Sequence, residues 1–324
     1  MIIDWQHHFT PEAIYKRRGG KPGEAIIKDR KVGLYLHEES YQIDKHLEFM
    51  DAADIDVAVL STTLHSIEDC RLADDTYAKL MKDYPKRLAC LAPCIPTRGQ
   101  AALNELERAM KFGLKGVVIS PQNDGVPLDS RKLWPFYEKV SDLSVPIFVH
   151  ITNIPVGYDA LDAPYDLNVT MTREFDIAAA TTRLILGGVL AAFPNLRFII
   201  GHMGGGIAAI LERLERYIDT YGDRFWTQLG GTPPFKKPYK ESFKRYFNKI
   251  YFDLAGFEGG MNAVKCALTT ISPQRLVFGT DYPYTFTNDP QGARNYIDNI
   301  RKLNLSPKSI EGILGDHAAE LLGI

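Results

Sequence analysis

The sequence is short of cysteine, of net charge and of long apolar runs. Four cysteines in 324 residues, Cys70, Cys90, Cys94 and Cys266, make neither a CxxC pair nor a disulfide framework. They read as reduced, mostly buried thiols of a cytosolic protein. Pro93 stands against a helical metal pair between Cys90 and Cys94. Lys plus Arg is 38 and Asp plus Glu is 40, a net charge of −2, so the basic footprint of a nucleic-acid binder is missing. The longest apolar stretches, such as Leu184–Phe193, are too short to span a membrane. The opening MIIDWQHHF lacks the apolar core of a signal peptide. No GxGxxG follows the first apolar run, which counts against a dinucleotide-binding sheet. No internal repeat or low-complexity linker divides the chain. At 45% hydrophobic and 24% charged residues, the composition is that of an ordered globular protein, not a disordered one.

What is present is a rhythm. Short apolar runs read as strands at Ile2–Gln6, Val57–Ser61, Leu88–Pro93, Gly116–Ile119, Pro146–His150, Leu196–His202, Ile250–Leu254 and Leu276–Asp281. Amphipathic stretches between them read as helices, including Gln42–Ala53, Ala73–Tyr84, Gln100–Phe112, Trp134–Asp142, Asp176–Phe193, Ile207–Tyr221 and Gly260–Thr270. Helices around Ala293–Leu303 and Ser309–Leu322 close the chain. Regular βαβ alternation over this length points to a (β/α)8 barrel or a doubly wound sheet. Two stretches break the rhythm. Lys16–Glu39, with a hairpin expected at Ala25–Leu36, and Gly222–Lys240 read as insertions beside a barrel mouth.

Barrel active sites lie at the C-terminal ends of the strands. The first strand ends in Asp4-Trp5-Gln6-His7-His8, the fifth in His150, the sixth in His202 and the last in Asp281. Any one of these alone is more often structural; their joint placement is the signal. Two neutral imidazoles and a carboxylate make an open site for a borderline divalent cation such as zinc, with room for a water. Regular alternation puts Asp4, Gln6 and His8 on one face. It turns Gln6 and His8 inward and His7 away.

These segments resemble the metal-dependent amidohydrolase superfamily. The nearest branch holds aminocarboxymuconate-semialdehyde decarboxylase and resorcylate decarboxylase. The resemblance runs from Ile3-Asp4-Trp5-Gln6-His7-His8 through Gly187-Gly188-Val189 and Phe193-Pro194-Asn195-Leu196. It continues through Gly201-His202-Met203-Gly204-Gly205-Gly206, Tyr251-Phe252-Asp253 and Phe278-Gly279-Thr280-Asp281-Tyr282-Pro283 to the closing Gly315-Asp316-His317-Ala318-Ala319-Glu320-Leu321-Leu322-Gly323. It implies a distorted TIM barrel, one domain over residues 1–324, with small insertions at the mouth. It also implies one divalent metal ion, zinc first and manganese or magnesium next. His8, His150 and Asp281 match ligand positions. His202 matches the position that activates water or polarises substrate. Arg213, eleven residues after His202, matches a contact to substrate carboxylate, in some members from a neighbouring subunit. That implies a homodimer or higher homo-oligomer; a solvated helix residue is the plainer reading of Arg213.

The sequence also departs from the branch. Gln6 stands where His or Glu is usual, and a neutral amide oxygen is the weaker ligand; its other role is a hydrogen bond to water or substrate. Leu34 or His37 replaces an arginine of the muconate-type members. Ile151-Thr152-Asn153 replaces a segment that often contains proline. The resemblance implies non-oxidative decarboxylation of an aromatic, enolic or muconate-type carboxylate, with Asp281 as proton shuttle and His202 holding the leaving carboxylate. Hydrolysis of a lactone or amide, or hydration, is the alternative on the same residues. A metal-free binding barrel is the third.

The remaining residues have plainer readings. His37, His46 and His65 read as surface or loop residues, with His65 a candidate pocket residue. Asp253 reads as support for a ligand. Trp134, Phe136 and Tyr137 read as core. Tyr282-Pro283-Tyr284 reads as an aromatic wall with Tyr282 on the substrate, and Asp166–Phe175 as a lid or dimer contact.

Overall fold

A computed structural model gives the fold. It describes residues 1–19, 21, 25–28, 31–35, 38–152, 154–161, 165, 167–220 and 238–324. Eight strands form one sheet: β1 (Ile3–His8), β2 (Val57–Ser61), β3 (Leu88–Pro93), β4 (Gly116–Ile119), β5 (Pro146–Val149), β6 (Arg197–Ile200), β7 (Tyr251–Asp253) and β8 (Leu276–Val277). They lie side by side in chain order, all parallel. The last meets the first: Trp5 N donates to Phe278 O at 2.9 Å, Asp281 N to Gln6 O at 2.9 Å and His8 N to Tyr282 O at 2.7 Å. The sheet is thus a (β/α)8 barrel, the first of the two architectures the alternation allows.

Strand alternation sorts the core into two layers. Ile3, Trp5, Val57, Val59, Ala89, Leu91, Val118, Phe148, Ile199 and Val277 fill the barrel interior. Their neighbours Ala58, Leu60, Cys90, Val117, Ile147 and Ile200 face the helices. Each fully buried large apolar side chain contributes about 1.5–3 kcal/mol. Short β-branched strands suit a sheet covered on both faces. The last helix, α9 (His317–Leu322), adds Ala318, Leu321 and Leu322 to the interior layer. A Cβ at Gly315 would meet Met1 O at 2.2 Å, so this segment seals the N-terminal end and leaves the opposite mouth for chemistry.

The surrounding helices include α1 (Ile43–Ala53), α2 (Ile67–Asp83), α3 (Gln100–Lys111), α4 (Trp134–Leu143), α5 (Arg173–Leu186), α6 (Leu211–Glu215), α7 (Met261–Ala267) and α8 (Pro290–Arg301). Helix α2 starts earlier than its apolar spacing indicates, because Ser66 caps it by accepting from Asp69 N at 3.1 Å. The expected helix over 176–193 breaks at Gly187 and Gly188. Gly188 lies at φ 76° with Pro238 packed where a Cβ would project.

A hairpin, Ala25–Lys28 with Lys31–Tyr35, forms within the first insertion. A second small one, Gln122–Asn123 with Val126–Pro127, follows β4. The Gly222–Lys240 insertion lies almost wholly outside the described residues, as do His37 and Asn153. Among the described residues, no helix is long and apolar enough to cross a membrane.

Candidate metal centre at the barrel mouth

The site begins with an irregularity in β1. Ile3 and Asp4 pair with Val57 and Ala58, but His7 and His8 pair with Leu60 and Ser61. The first strand therefore carries one more residue than the second over that interval, a β-bulge. The bulge overturns the regular alternation expected here: Asp4 shares the outer face with His7, not the inner face with Gln6 and His8. Gln6 and His8 do turn inward.

Three side chains meet at the mouth. His8, His150 and Asp281 each bring a donor atom within 4.8 Å of the others. The rings of His8 and His150 lie 4.4 Å apart, and His8 Nε2 is 2.8 Å from Asp281 Oδ1. His150 follows Phe148 by two residues and so shares its inward face. At Asp281 the backbone is left-handed, φ 64°.

The set fits a divalent cation on its own chemistry. His8 Nδ1 faces the carbonyl of Ser61 at 3.3 Å. A carbonyl only accepts, so Nδ1 carries the hydrogen and Nε2 offers its lone pair, the usual arrangement of a ligating histidine. His150 Nε2 is buried without a hydrogen-bond partner. Burial, then the neighbouring His8 and His202, pushes His150 well below its ordinary value, so its ring is neutral, as a ligand must be. Burial by itself would raise the Asp281 carboxyl. The close approach of His8 and the charge of His202 instead hold it well below the carboxylate range.

His202 stands across from this set. Side chains at 198 and 200 face the helices, so parity would carry His202 outward too. Left-handed backbone at His202 (φ 54°) and Met203 (φ 50°) redirects it. Asp253 Oδ1 holds that turn by accepting from His202 N at 2.9 Å and Ala255 N at 3.1 Å. Asp253 thus supports His202 and not one of the expected metal ligands. His202 Nε2 lies 3.0 Å from Gln6 Nε2 and 4.0 Å from Asp281 Oδ2. Gln6 Nε2 also donates to Asp281 Oδ1 at 2.7 Å, while Gln6 Oε1 is buried without a partner. Gln6 therefore meets the cluster with its amide nitrogen. His202 Nδ1 donates to Glu174 Oε1 at 2.7 Å. Against the opposing effect of burial, the Glu174 charge and hydrogen bond raise His202 to about 9. Glu174 escaped the sequence reading: it lies at the start of a helix, with no local pattern to mark it.

Other expected residues fall elsewhere. Tyr282 is buried on the outer side of β1, its ring stacked 3.9 Å from that of Phe49 and 5.0 Å from that of His7. The outward path of the chain after Asp281 carries it there, and Tyr284 supplies the aromatic wall instead, 5.4 Å from the His8 ring. His65 is exposed and stands outside the cluster. It lines a cavity of about 230 Å³ at the mouth with Leu64, Ile95, Ser120, Asn123 and Thr152. Arg213 is exposed on α6, its guanidinium 4.8 Å from the Tyr217 ring, and the single chain does not bring it to the cluster. His46, expected at the surface, is fully buried behind β1, because His7 Nε2 engages its Nδ1 at 2.8 Å.

A family model described as Amidohydrolase matches residues 3–324. The chain belongs to the amidohydrolase family. Within it, the chain is similar to the gamma-resorcylate decarboxylase of Rhizobium radiobacter, 27% identical over 86% of both chains. It is also similar to the 2-amino-3-carboxymuconate-6-semialdehyde decarboxylase of Dictyostelium discoideum, 24% identical over 92% of this chain and 81% of that one. Among solved structures, a dihydroxybenzoic acid decarboxylase from Polaromonas with bound manganese and 2-nitroresorcinol superposes with a TM-score of 0.79. That match has 23% identity and covers 99% of this chain and 96% of the other. The two share the barrel architecture.

Proposed function

We propose that the chain is a metal-dependent non-oxidative decarboxylase of an aromatic, enolic or muconate-type carboxylate. The observation that carries this reading is the convergence of His8, His150 and Asp281 within 4.8 Å opposite His202. His8, His150 and Asp281 would hold one divalent ion, which when bound supplies Lewis acidity toward the substrate's carboxylate and neighbouring oxygen. The chain's own residues move the proton. Asp281 Oδ2 takes a proton from the substrate's phenolic or enolic hydroxyl and passes it to the carbon that bears the carboxyl group. A C–H bond forms there, the bond to the carboxyl carbon breaks, and its electron pair returns to the ring or enol as carbon dioxide leaves. His202 Nε2, 4.0 Å from Asp281 Oδ2, holds the departing carboxylate. Tyr284 and the barrel interior exclude water from one side.

Zinc is our first choice of ion and manganese or magnesium the next. Two imidazoles and a carboxylate suit borderline cations, and the Polaromonas neighbour's manganese supports including that ion. We also propose a cytoplasmic homodimer. All four cysteines are free thiols, three of them buried. Val156, Tyr165, Met171 and Phe175 are exposed, as are Ile210 and Tyr217 beside Arg213, apolar surface that a second copy would cover.

The test is a turnover screen of dihydroxybenzoates, carboxyvanillate-like phenols and muconate-type acids with zinc, manganese or magnesium, reading carbon dioxide release. Lactones and amides run beside them. We expect carbon dioxide from at least one phenolic or enolic acid, lost on chelation. Hydrolysis of a lactone or amide with no decarboxylation would overturn the proposal in favour of a hydrolase.

A further inference from the structure

Glu174 is the second residue of α5, and it reaches His202 across 28 residues of sequence. A carboxylate only accepts, so the 2.7 Å contact requires the hydrogen on His202 Nδ1. Among the described residues, the second oxygen of Glu174 is buried with no hydrogen-bond partner, and the histidine is the hydrogen-bond partner of this carboxylate.

Two glycines make the contact possible. A Cβ at Gly205 would lie 1.9 Å from the carbonyl oxygen of Glu174. Only glycine there, at φ 64°, lets the first turn of α5 come so close. A Cβ at Gly256 would lie 2.3 Å from His202 Cγ and 2.4 Å from Nδ1, so the imidazole rests on a bare backbone. The ring is held below by Gly256, at Nδ1 by Glu174 and at its own backbone nitrogen by Asp253.

We propose that Glu174 is a positioning residue that fixes the Nδ1–H tautomer and the ring plane of His202, so that Nε2 is the nitrogen presented to Gln6, Asp281 and the substrate. The consequence runs further along the network. Charged, the ring also donates from Nε2 to the substrate carboxylate; neutral, with its hydrogen kept on Nδ1, it accepts at Nε2 from one hydrogen of the Gln6 amide, 3.0 Å away. The other hydrogen of that amide binds Asp281 Oδ1 at 2.7 Å. Glu174 therefore decides, through His202, that Gln6 faces Asp281 as a donor. A histidine oriented by a third group is a recurrent device in proton-transfer sites. Here the third group comes from a helix outside the strand ends.

The kinetic arm of the test rests on the decarboxylase reading; the spectroscopic arm does not. The protein is loaded with diamagnetic zinc and its histidine side chains are labelled with 15N. The His202 signals are assigned by their loss in His202→Gln. Above pH 9, where the ring loses its charge, wild type is expected to hold the remaining His202 hydrogen on Nδ1. Glu174→Gln is expected to shift the ring to the Nε2–H form or to a mixture, with zinc stoichiometry unchanged. On a substrate found in the screen, kcat should fall about 100-fold while KM stays within about threefold. Glu174→Asp, one methylene shorter but still anionic, should show an intermediate loss and serves if the glutamine variant misfolds. Unchanged His202 signals overturn the proposal whether or not a substrate is known. Altered signals with unchanged kcat overturn it as well. Absence of any decarboxylase substrate, with the predicted change at His202, leaves the positioning role standing and removes only the reaction assigned to it.

Discussion

The two faces of β1 carry the same residue types to opposite ends. On the outer face, Asp4 Oδ1 accepts from Thr280 N at 2.8 Å, and Asp4 Oδ2 accepts from His7 Nδ1 at 2.7 Å and Thr280 Oγ1 at 2.5 Å. His7 Nε2 meets His46 Nδ1 at 2.8 Å, and His46 Nε2 donates to the carbonyl of Glu39 at 2.6 Å. Asp4, His7, His46 and the Glu39 carbonyl thus form one continuous hydrogen-bonded chain. All three side chains are wholly buried. On the inner face, one residue further along, His8 and Gln6 join Asp281 and His150. There His150 Nε2 and Gln6 Oε1 have no protein partner. A buried polar network whose valences are all used is a joint, and this one fastens the first strand to the last. A network that directs lone pairs to a common point is a site.

Asp281→Asn and His202→Ala should separate the two networks most sharply. Each removes an inner group, so turnover should drop about 10⁴-fold for Asp281→Asn and about 10²–10⁴-fold for His202→Ala. The urea midpoint of metal-free Asp281→Asn should stay close to wild type, since asparagine tolerates the left-handed backbone at 281. Full activity in either variant would remove that residue from the reaction. Asp4→Ala should do the reverse. It leaves the buried His7 Nδ1, Thr280 N–H and Thr280 hydroxyl without their acceptor, so unfolding free energy should fall by about 3–5 kcal/mol. The fraction that remains folded should bind one metal per chain as before. Loss of metal with unchanged stability would show that the outer network serves the site and not the closure.

Much of this was legible from the sequence because a parallel barrel delivers its strand ends to one mouth. His8, His150, His202 and Asp281 could be found by asking what polar residue ends each apolar run. The parts that escaped depend on contacts distant in sequence or on local backbone irregularity. An extra residue in β1 changes the face of Asp4 without changing any residue type. His46 looks like a polar helix residue until His7 is packed against it. Tyr282 and Tyr284 differ by two positions, yet the turn after Asp281 sends one behind β1 and the other toward His8. The last apolar run extends through to Asp281, yet only Leu276–Val277 is regular strand. The chain beyond it still bonds to β1, but the left-handed residue at 281 ends the pleat. Glu174 shows the limit best, since helical periodicity describes its helix and says nothing about the histidine it meets.

The smallest expected effect tests whether residue 6 belongs to the site as a ligand or as a donor. Gln6→Glu replaces the amide nitrogen 2.7 Å from Asp281 Oδ1 with a carboxylate oxygen. Without metal, two carboxylates at that distance cannot both ionise, and one must take up a proton. The metal-free variant should therefore melt below wild type at neutral pH. With metal the added anion neutralises charge, and the affinity should rise about tenfold, or about 1.4 kcal/mol. Calorimetric titration with manganese, together with melting curves before and after loading, reads both effects. The two shifts must have opposite signs if residue 6 reaches the ion. A lower melting temperature with unchanged affinity would instead confine residue 6 to bridging Asp281 and His202, which is the role its present hydrogen bonds describe.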